Sequence, residues 1–360
     1  MIIRPDGTQD SCQQPTLGSA IPLDVGPGDP VADQHALEHI HALTTGRDVP
    51  VAVIDTGASV PGVTGDDNHC YLHGTAVASV VKALAPGAAV TSIRHAPQTT
   101  SAQGTVADLI GAINAAAAGG ARIINISMVA CSGTPELSAA LQRAMEGGAL
   151  VVASTGNTGQ CEPGTVPYPA GVEGVLAVGA VEDPFATDSA DAGRIPAPYS
   201  APTSVVDVFA PGGPVSAQLA VGGAGGKVHT IVGDPAPFVG TSFAAPFVSA
   251  TAALVWERDP GATAEQVRSI LVDSAALGGA VGDMAEPLRV VDPLAAVTAA
   301  MDQAGGTRVG QVSEQPIPSA VVAGQPWHPE PVNVTVPVVL AVVVVVVAIA
   351  ALIVRARYRR

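Results

Sequence analysis

Val51-Ala52-Val53-Ile54-Asp55-Thr56-Gly57 opens the part of the chain whose pattern decides the fold. The apolar run 49–54 reads as a short strand buried on both faces. It ends in a carboxylate, and Thr56-Gly57 lets the chain turn there. Outward from this stretch, strands and helices alternate. Apolar runs at 89–93, 122–126, 150–153 and 175–178 read as further strands. Segments 73–85, 105–118 and 135–146 read as helices stopped by Pro86-Gly87, Gly119-Gly120 and Gly147-Gly148. Helices are also expected over 33–43, 241–256 and 264–273. Such alternation predicts an α/β fold, a parallel sheet with helices on both faces.

In an open parallel sheet the carboxyl ends of the strands meet the ligand. Asp55 stands at such an end. A carboxylate there can accept the Nδ1 proton of a histidine, fix its tautomer and stabilise the imidazolium. His73-Gly74-Thr75 supplies that histidine at the start of a helix. Its small neighbours Gly74, Ala76 and Ala78 let the helix pack close to the sheet. Gly240-Thr241-Ser242-Phe243-Ala244-Ala245-Pro246 supplies a hydroxyl. Ser242 opens a long apolar helix, so its backbone N–H is free to face a substrate carbonyl. Pro246 is tolerated because first-turn positions need no donor. Asn157 follows strand 150–153, where its side-chain amide can donate to a developing oxyanion. A strand-end turn Asp, a capping His and a loop Asn are each ordinary alone. Together they make an acid, a base, a nucleophile and an oxyanion donor, expected to converge within hydrogen-bonding reach at one rim of the sheet.

The chain has 360 residues and a net charge of −15. Arg355, Arg357, Arg359 and Arg360 lie at its far end, and without them 12 basic residues face 31 acidic ones, a balance of −19. Phosphate binding needs a basic surface, so nucleic acid is excluded as a partner. Aromatics are only 3%, which leaves Ala, Val, Ile and Leu to build the core. His35, His39 and His41 share the helix 33–43, but no Cys or carboxylate stands at matching spacing, and they read as a polar face. The pairs Asp66-Asp67 and Glu182-Asp183 read as solvated loops, with no clear calcium loop. No metal and no cofactor is expected.

Residues 336–354 carry no charge and are mostly Val, Ala, Leu and Ile. Nineteen residues at helical rise approach the thickness of a bilayer's hydrocarbon core, and the arginines beyond predict a cytoplasmic C-terminus. The organisation expected is an N-terminal extension (1–32), a catalytic domain (33–304), a Pro-rich linker (305–335), a transmembrane helix (336–354) and a basic tail (355–360). The domain is expected outside the cell membrane. Met1 to Gly7 holds no apolar stretch of signal-peptide length, so export calls for a leader upstream of this start. Cys12, Cys70, Cys131 and Cys161 suit an external domain with two disulfides, for which the sequence allows three connectivities.

These residues resemble the subtilisin-like serine peptidases, whose chain order is also Asp, His, Ser. The chain looks most like the mycosins, the membrane-anchored branch tied to type VII secretion. Val51 to Gly57, His73 to Ala78 and Gly240 to Pro246 carry the resemblance. Ile124 to Cys131 and Gly156 to Cys161 look like the mycosin stretches that hold one disulfide, and Cys12 with Cys70 fits the other. The resemblance implies a subtilisin-like fold, a triad of Asp55, His73 and Ser242, and an oxyanion hole of Asn157 with the Ser242 N–H. It implies that Ser127, Met128 and Val129 pair with extended substrate. It implies that Ala153, Ser154, Thr155 and Gly156 wall the first specificity pocket. The function implied is a membrane-anchored endopeptidase acting on exported polypeptides, with the type VII membrane complex and the bilayer as partners. The alternative implied is a docking component of that complex, with proteolysis secondary. Two features depart from the family: a short stretch between Asp55 and His73, and an extension too short for a folding prodomain, which reads as a retained wrap.

Overall fold

The computed structural model describes residues 17–20, 34–68, 71–95, 104–181, 195–221, 226–232, 237–278 and 288–304. All of them belong to one unit, Met1–Val309. The first half contains strands β1 (Leu17–Ala20), β2 (Pro50–Asp55), β3 (Val63–Gly65), β4 (Ala89–Arg94), β5 (Ile123–Ile126) and β6 (Leu150–Ser154). Then come β7 (Leu176–Val181), β8 (Val208–Pro211), β9 (Ser216–Val221), β10 (Gly226–Val232), β11 (Ala276–Leu277) and β12 (Arg289–Val290). The helices are α1 (Gln34–Leu43), α2 (His73–Leu84), α3 (Val106–Ala118), α4 (Pro135–Glu146), α5 (Thr241–Arg258), α6 (Ala264–Asp273) and α7 (Pro293–Ala304).

Nine strands form one sheet in the order β11-β12-β8-β7-β6-β5-β2-β4-β3. Every pairing in it is parallel except β11 with β12. Alternate residues of β2 enter different cores. Val51 and Val53 pack with α2 and α5, whereas Ala52 and Ile54 pack with α3 and α4. Leu150 and Val152 of β6 divide from Val151 and Ala153 in the same way. Both faces are therefore covered, which is why these strands read as unbroken apolar runs.

Helix starts follow their caps. Thr105 and Thr263 close capping boxes with Asp108 and Gln266, and the Thr134 hydroxyl accepts from the Leu137 N–H before Pro135. Helix α5 is different. All but its last two residues are buried, so it is an interior helix with no polar face. Trp256 near its end sends Nε1–H to the Ala262 carbonyl, and the Arg122 guanidinium lies 4.4 Å over its ring.

From β2 the chain moves to β4 on one side and then to β5 on the other. The order reverses at β2, so the carboxyl edge of β2 and β5 is a topological switch point. Asp55, Ser127 and Asn157 all lie at or just past strand ends on that edge.

Several details differ from the sequence reading. The 1–32 segment, expected as a wrapping extension, contributes β1, which pairs antiparallel with β10 in a three-stranded sheet with β9. Asp66 lies on a loop as expected, its side chain 42% exposed, and also accepts the Arg94 backbone N–H at 2.9 Å and faces its guanidinium at 3.6 Å. His41 Nε2 meets the Leu84 carbonyl at 3.0 Å, so this part of the histidine face ties α1 to α2. No helix among the described residues is long and apolar enough to cross a membrane. The expected span 336–354, the linker 305–335, the tail 355–360, Glu182-Asp183 and the pair Cys12 with Cys70 lie wholly or partly outside the described residues.

Cys131 and Cys161 form a disulfide across 30 residues. It straps the segment leaving β5 to the segment leaving β6. In the chain-entropy treatment a loop of that size is worth about 3.5 kcal/mol. The double variant Cys131→Ser/Cys161→Ser is expected to lose stability on that order in urea unfolding. An unchanged midpoint and slope would show that the strap constrains nothing.

Candidate active site

Asp55 is fully buried and still ionised. Its Oδ1 accepts the Thr56 N–H at 2.7 Å and the Thr56 hydroxyl at 3.2 Å. His73 Nδ1 stands 2.8 Å from Oδ1 and 3.0 Å from Oδ2. Burial opposes ionisation. The charge and hydrogen bond of His73 and the Thr56 N–H outweigh it, and the carboxyl is held below its ordinary value. Since a carboxylate only accepts, Nδ1 carries the ring proton and Nε2 is the basic nitrogen.

The closeness of α2 to this carboxylate depends on Gly74. A Cβ there would sit 2.3 Å from the Gly57 carbonyl and 3.1 Å from Asp55 Oδ1. The Gly74 N–H instead donates to the Thr56 hydroxyl at 3.0 Å. Behind Asp55, His95 is buried and its Nδ1 donates to the Asp55 carbonyl at 2.8 Å. Burial pushes its pKa down, so this second imidazole is neutral at pH 7.

Ser242 opens α5 on the other side of the cleft. Phe243 brings the two sides together, with its ring 5.2 Å from that of His73, and Phe238 stacks on Phe243 at 5.8 Å. Of the groups expected to converge within hydrogen-bonding reach, Asp55 and His73 are bonded to each other. Among the described residues, the Ser242 hydroxyl has no bond to His73. It donates to the Ser127 carbonyl at 3.1 Å. Ser127 is one residue past β5, where a main-chain oxygen is available to a buried hydroxyl that needs an acceptor.

Asn157 adjoins the same helix start. Its Oδ1 accepts the Thr241 N–H at 3.0 Å and the Thr241 hydroxyl at 3.2 Å. Those bonds fix the amide so that Nδ2, the donor end, is left for another partner. Nδ2 lies against Gly240, where a Cβ would come within 2.8 Å of it. The Gly156 N–H donates to the Thr241 hydroxyl at 3.1 Å, which joins the end of β6 to α5.

The residues expected to wall a substrate channel are mostly interior. Ser127, Met128, Val129, Ala153, Ser154 and Thr155 are all buried. Gly156 faces the methyl groups of Val129, 3.4 Å from where its Cβ would lie, so the two segments oppose each other. Beside them is a cavity of about 150 Å³ bounded by Gly156, Asn157, Gln160, Glu162, Pro167 and Thr203. Among the described residues no group of three or more His, Cys, Asp or Glu is placed to hold a metal. Sequence reasoning missed His95, Thr241, Phe238 and Phe243. The two phenylalanines had a signal, since a chain of 360 residues has only five, and Phe243 lies within the Ser242 motif and Phe238 two residues before it.

Comparison with known proteins places these features. The model of the subtilase family, Peptidase S8, matches residues 46–308. Mycosin-1 of Mycobacterium tuberculosis is 32% identical, over 72% of this chain and 70% of its own length. Mycosin-4 of the same organism is 32% identical over 88% of this chain and 78% of its own. A solved structure described as a serine protease MycP1, an essential component of the type VII (ESX-1) secretion system, superposes with a TM-score of 0.65. It is 26% identical and covers 82% of this chain and 95% of its own.

The lowered pKa of Asp55 has a consequence for stability. Its contribution is full above the unfolded-state value, near 3.9, and is lost as pH falls through the lower folded value. The urea midpoint of Asp55→Asn is therefore expected below that of the wild type at pH 7, with the gap closing only below about pH 4. A gap that stays constant from pH 7 to pH 3 contradicts the ionised, buried carboxylate.

Proposed function

The chain belongs to the subtilase family, in its mycosin branch, and from that membership we propose roles for its residues and its place in the cell. It is a serine endopeptidase. In our reading Ser242 attacks the scissile carbonyl, and His73 takes its proton at Nε2 and returns it to the leaving amine. Asp55 holds the ring and stabilises the imidazolium. The Ser242 N–H and Asn157 Nδ2 receive the oxyanion. The observation that carries this reading is the Asp55–His73 pair facing the start of α5, where Asn157 is already oriented by Thr241.

Attack requires the Ser242 hydroxyl to leave the Ser127 carbonyl for His73. An extended polypeptide pairing along Ser127 to Val129 would bring an N–H to that carbonyl and release the hydroxyl. Ala153 to Gly156 would wall the pocket for the side chain before the cleaved bond. Apo geometry of this kind tightens when substrate arrives.

We place this domain, residues 33–304, outside the cell membrane. The uncharged span 336–354 and the four arginines after it support a single anchor with a cytoplasmic end. The Cys131–Cys161 disulfide suits an oxidising compartment. The type VII role of the MycP1 relative supports association of this chain with a type VII membrane complex, where exported proteins would be its substrates.

The full chain, in detergent, is expected to react with a serine-directed fluorophosphonate, and Ser242→Ala to abolish the label. Equal labelling of both removes the assignment. In subtilisin, loss of the side-chain oxyanion donor costs roughly 10²–10³ in turnover. Asn157→Ala is expected to lose about that factor in kcat. Gly240→Ala, which pushes the same amide aside, is expected to follow it, with little further loss when the two are combined. Multiplying losses would mean that Gly240 acts elsewhere.

A further inference from the structure

Two buried polar residues have no part in the chemistry above. Asn125 interrupts the apolar run of β5, and Ser249 lies in the apolar interior of α5. Both are fully buried, where an unpaired polar group is costly. Their partners lead in one direction, toward Ser242.

The origin of the chain of bonds is Pro246. Pro246 lies inside α5 rather than in the first turn that the sequence suggested, so the carbonyl of residue 242 loses the N–H of residue 246 that it would accept in an α-helix. The Ser127 hydroxyl supplies the missing donor, 2.7 Å from the Ser242 carbonyl oxygen. A carbonyl only accepts, so the Ser127 proton is committed to it. Ser127 Oγ then accepts from Asn125 Nδ2 at 2.9 Å. That sets the amide's orientation and turns Oδ1 toward Ser249, whose hydroxyl donates to it at 2.9 Å. Each hydroxyl has one proton to give and the amide's oxygen and nitrogen ends are told apart by it, so the order Ser249, Asn125, Ser127, Ser242 follows from the proline. In return the Ser242 hydroxyl rests on the Ser127 carbonyl. Residues 127 and 242 thus hold each other through two bonds, and Ser249 latches the same strand seven residues further along α5.

We infer that Asn125 and Ser249 are positioning residues for Ser242, acting through Ser127 to set the start of α5 against the end of β5. The inference rests on the reading of Ser242 as the nucleophile. Removing the Ser249 hydroxyl leaves Asn125 Oδ1 unpaired and its amide free to turn, which loosens Ser127. The loss falls on the placement of the reacting oxygen rather than on substrate binding. Core packing alone would not separate these two quantities.

The test uses the full chain in detergent, with fluorophosphonate labelling rates and steady-state hydrolysis of a peptide ester. Ser249→Ala is expected to slow labelling and lower kcat by about tenfold, the size of one lost hydrogen bond, with KM unchanged. Ser127→Ala is expected to lose at least as much. Adding Ser249→Ala to Ser127→Ala is expected to cost nothing more, because the path is already cut. A Ser249→Ala protein with wild-type labelling and kcat overturns the inference, and so do losses that multiply in the double variant. A wild type that labels at a residue other than Ser242 refutes the nucleophile itself, a separate failure.

Discussion

A carboxylate buried at the end of an interior strand is the constraint on which the rest depends. Asp55 has no exposed surface, and a bare charge there would be untenable. Its stability comes from Thr56, whose N–H and hydroxyl face one oxygen, and from His73 across both. Those partners can approach only because the first turn of α2 has no side chain at Gly74. The strand, the turn and the helix start are therefore one object. A larger residue at position 74 would separate the imidazole from the charge that orients it.

The same economy operates on α5. An interior helix must be apolar all round, yet its first turn must present a hydroxyl and free N–H groups to the cleft. Proline at 246 stops one intrahelical bond and hands the Ser242 carbonyl to Ser127. Thr241 uses its N–H and hydroxyl on Asn157, and its oxygen on Gly156. Three strand ends, those of β2, β5 and β6, are thereby tied to two helix starts at the switch point of the sheet.

Much of this was legible in the residues. The runs around Val53, Ile124 and Val152 are strands because parallel sheets bury both faces, and the Gly and Pro stops ended helices α2, α3 and α4 within a residue or two of expectation. What escaped was short or conditional on tertiary neighbours. Val63 to Gly65 and Arg289 to Val290 are too brief for periodicity to declare. Strands β9 and β10 went undeclared because the sequence between their apolar positions, four glycines and Ala224 over 222–226, carries no strand pattern. Asn125 was visible as a polar residue in an apolar strand, but its partner lies 124 residues away, and spacing along the chain cannot disclose that. The Ser242–Ser127 bond was beyond any motif, because the motif names the hydroxyl and not its resting acceptor.

That resting bond bears on how the site is switched between idle and working states. A hydroxyl as buried as that of Ser242 must donate somewhere, and each alternative acceptor offers roughly one hydrogen bond. The exchange from Ser127 to His73 therefore has a small net free energy. It is decided by what else competes for the Ser127 carbonyl. In the proposed mechanism an empty cleft leaves that oxygen to the serine, whereas a strand-like substrate would bring a backbone N–H to it. On that proposal the Ser242 hydroxyl would be aligned by the ligand's own main chain. Side-chain pockets add preference but are not needed for the exchange.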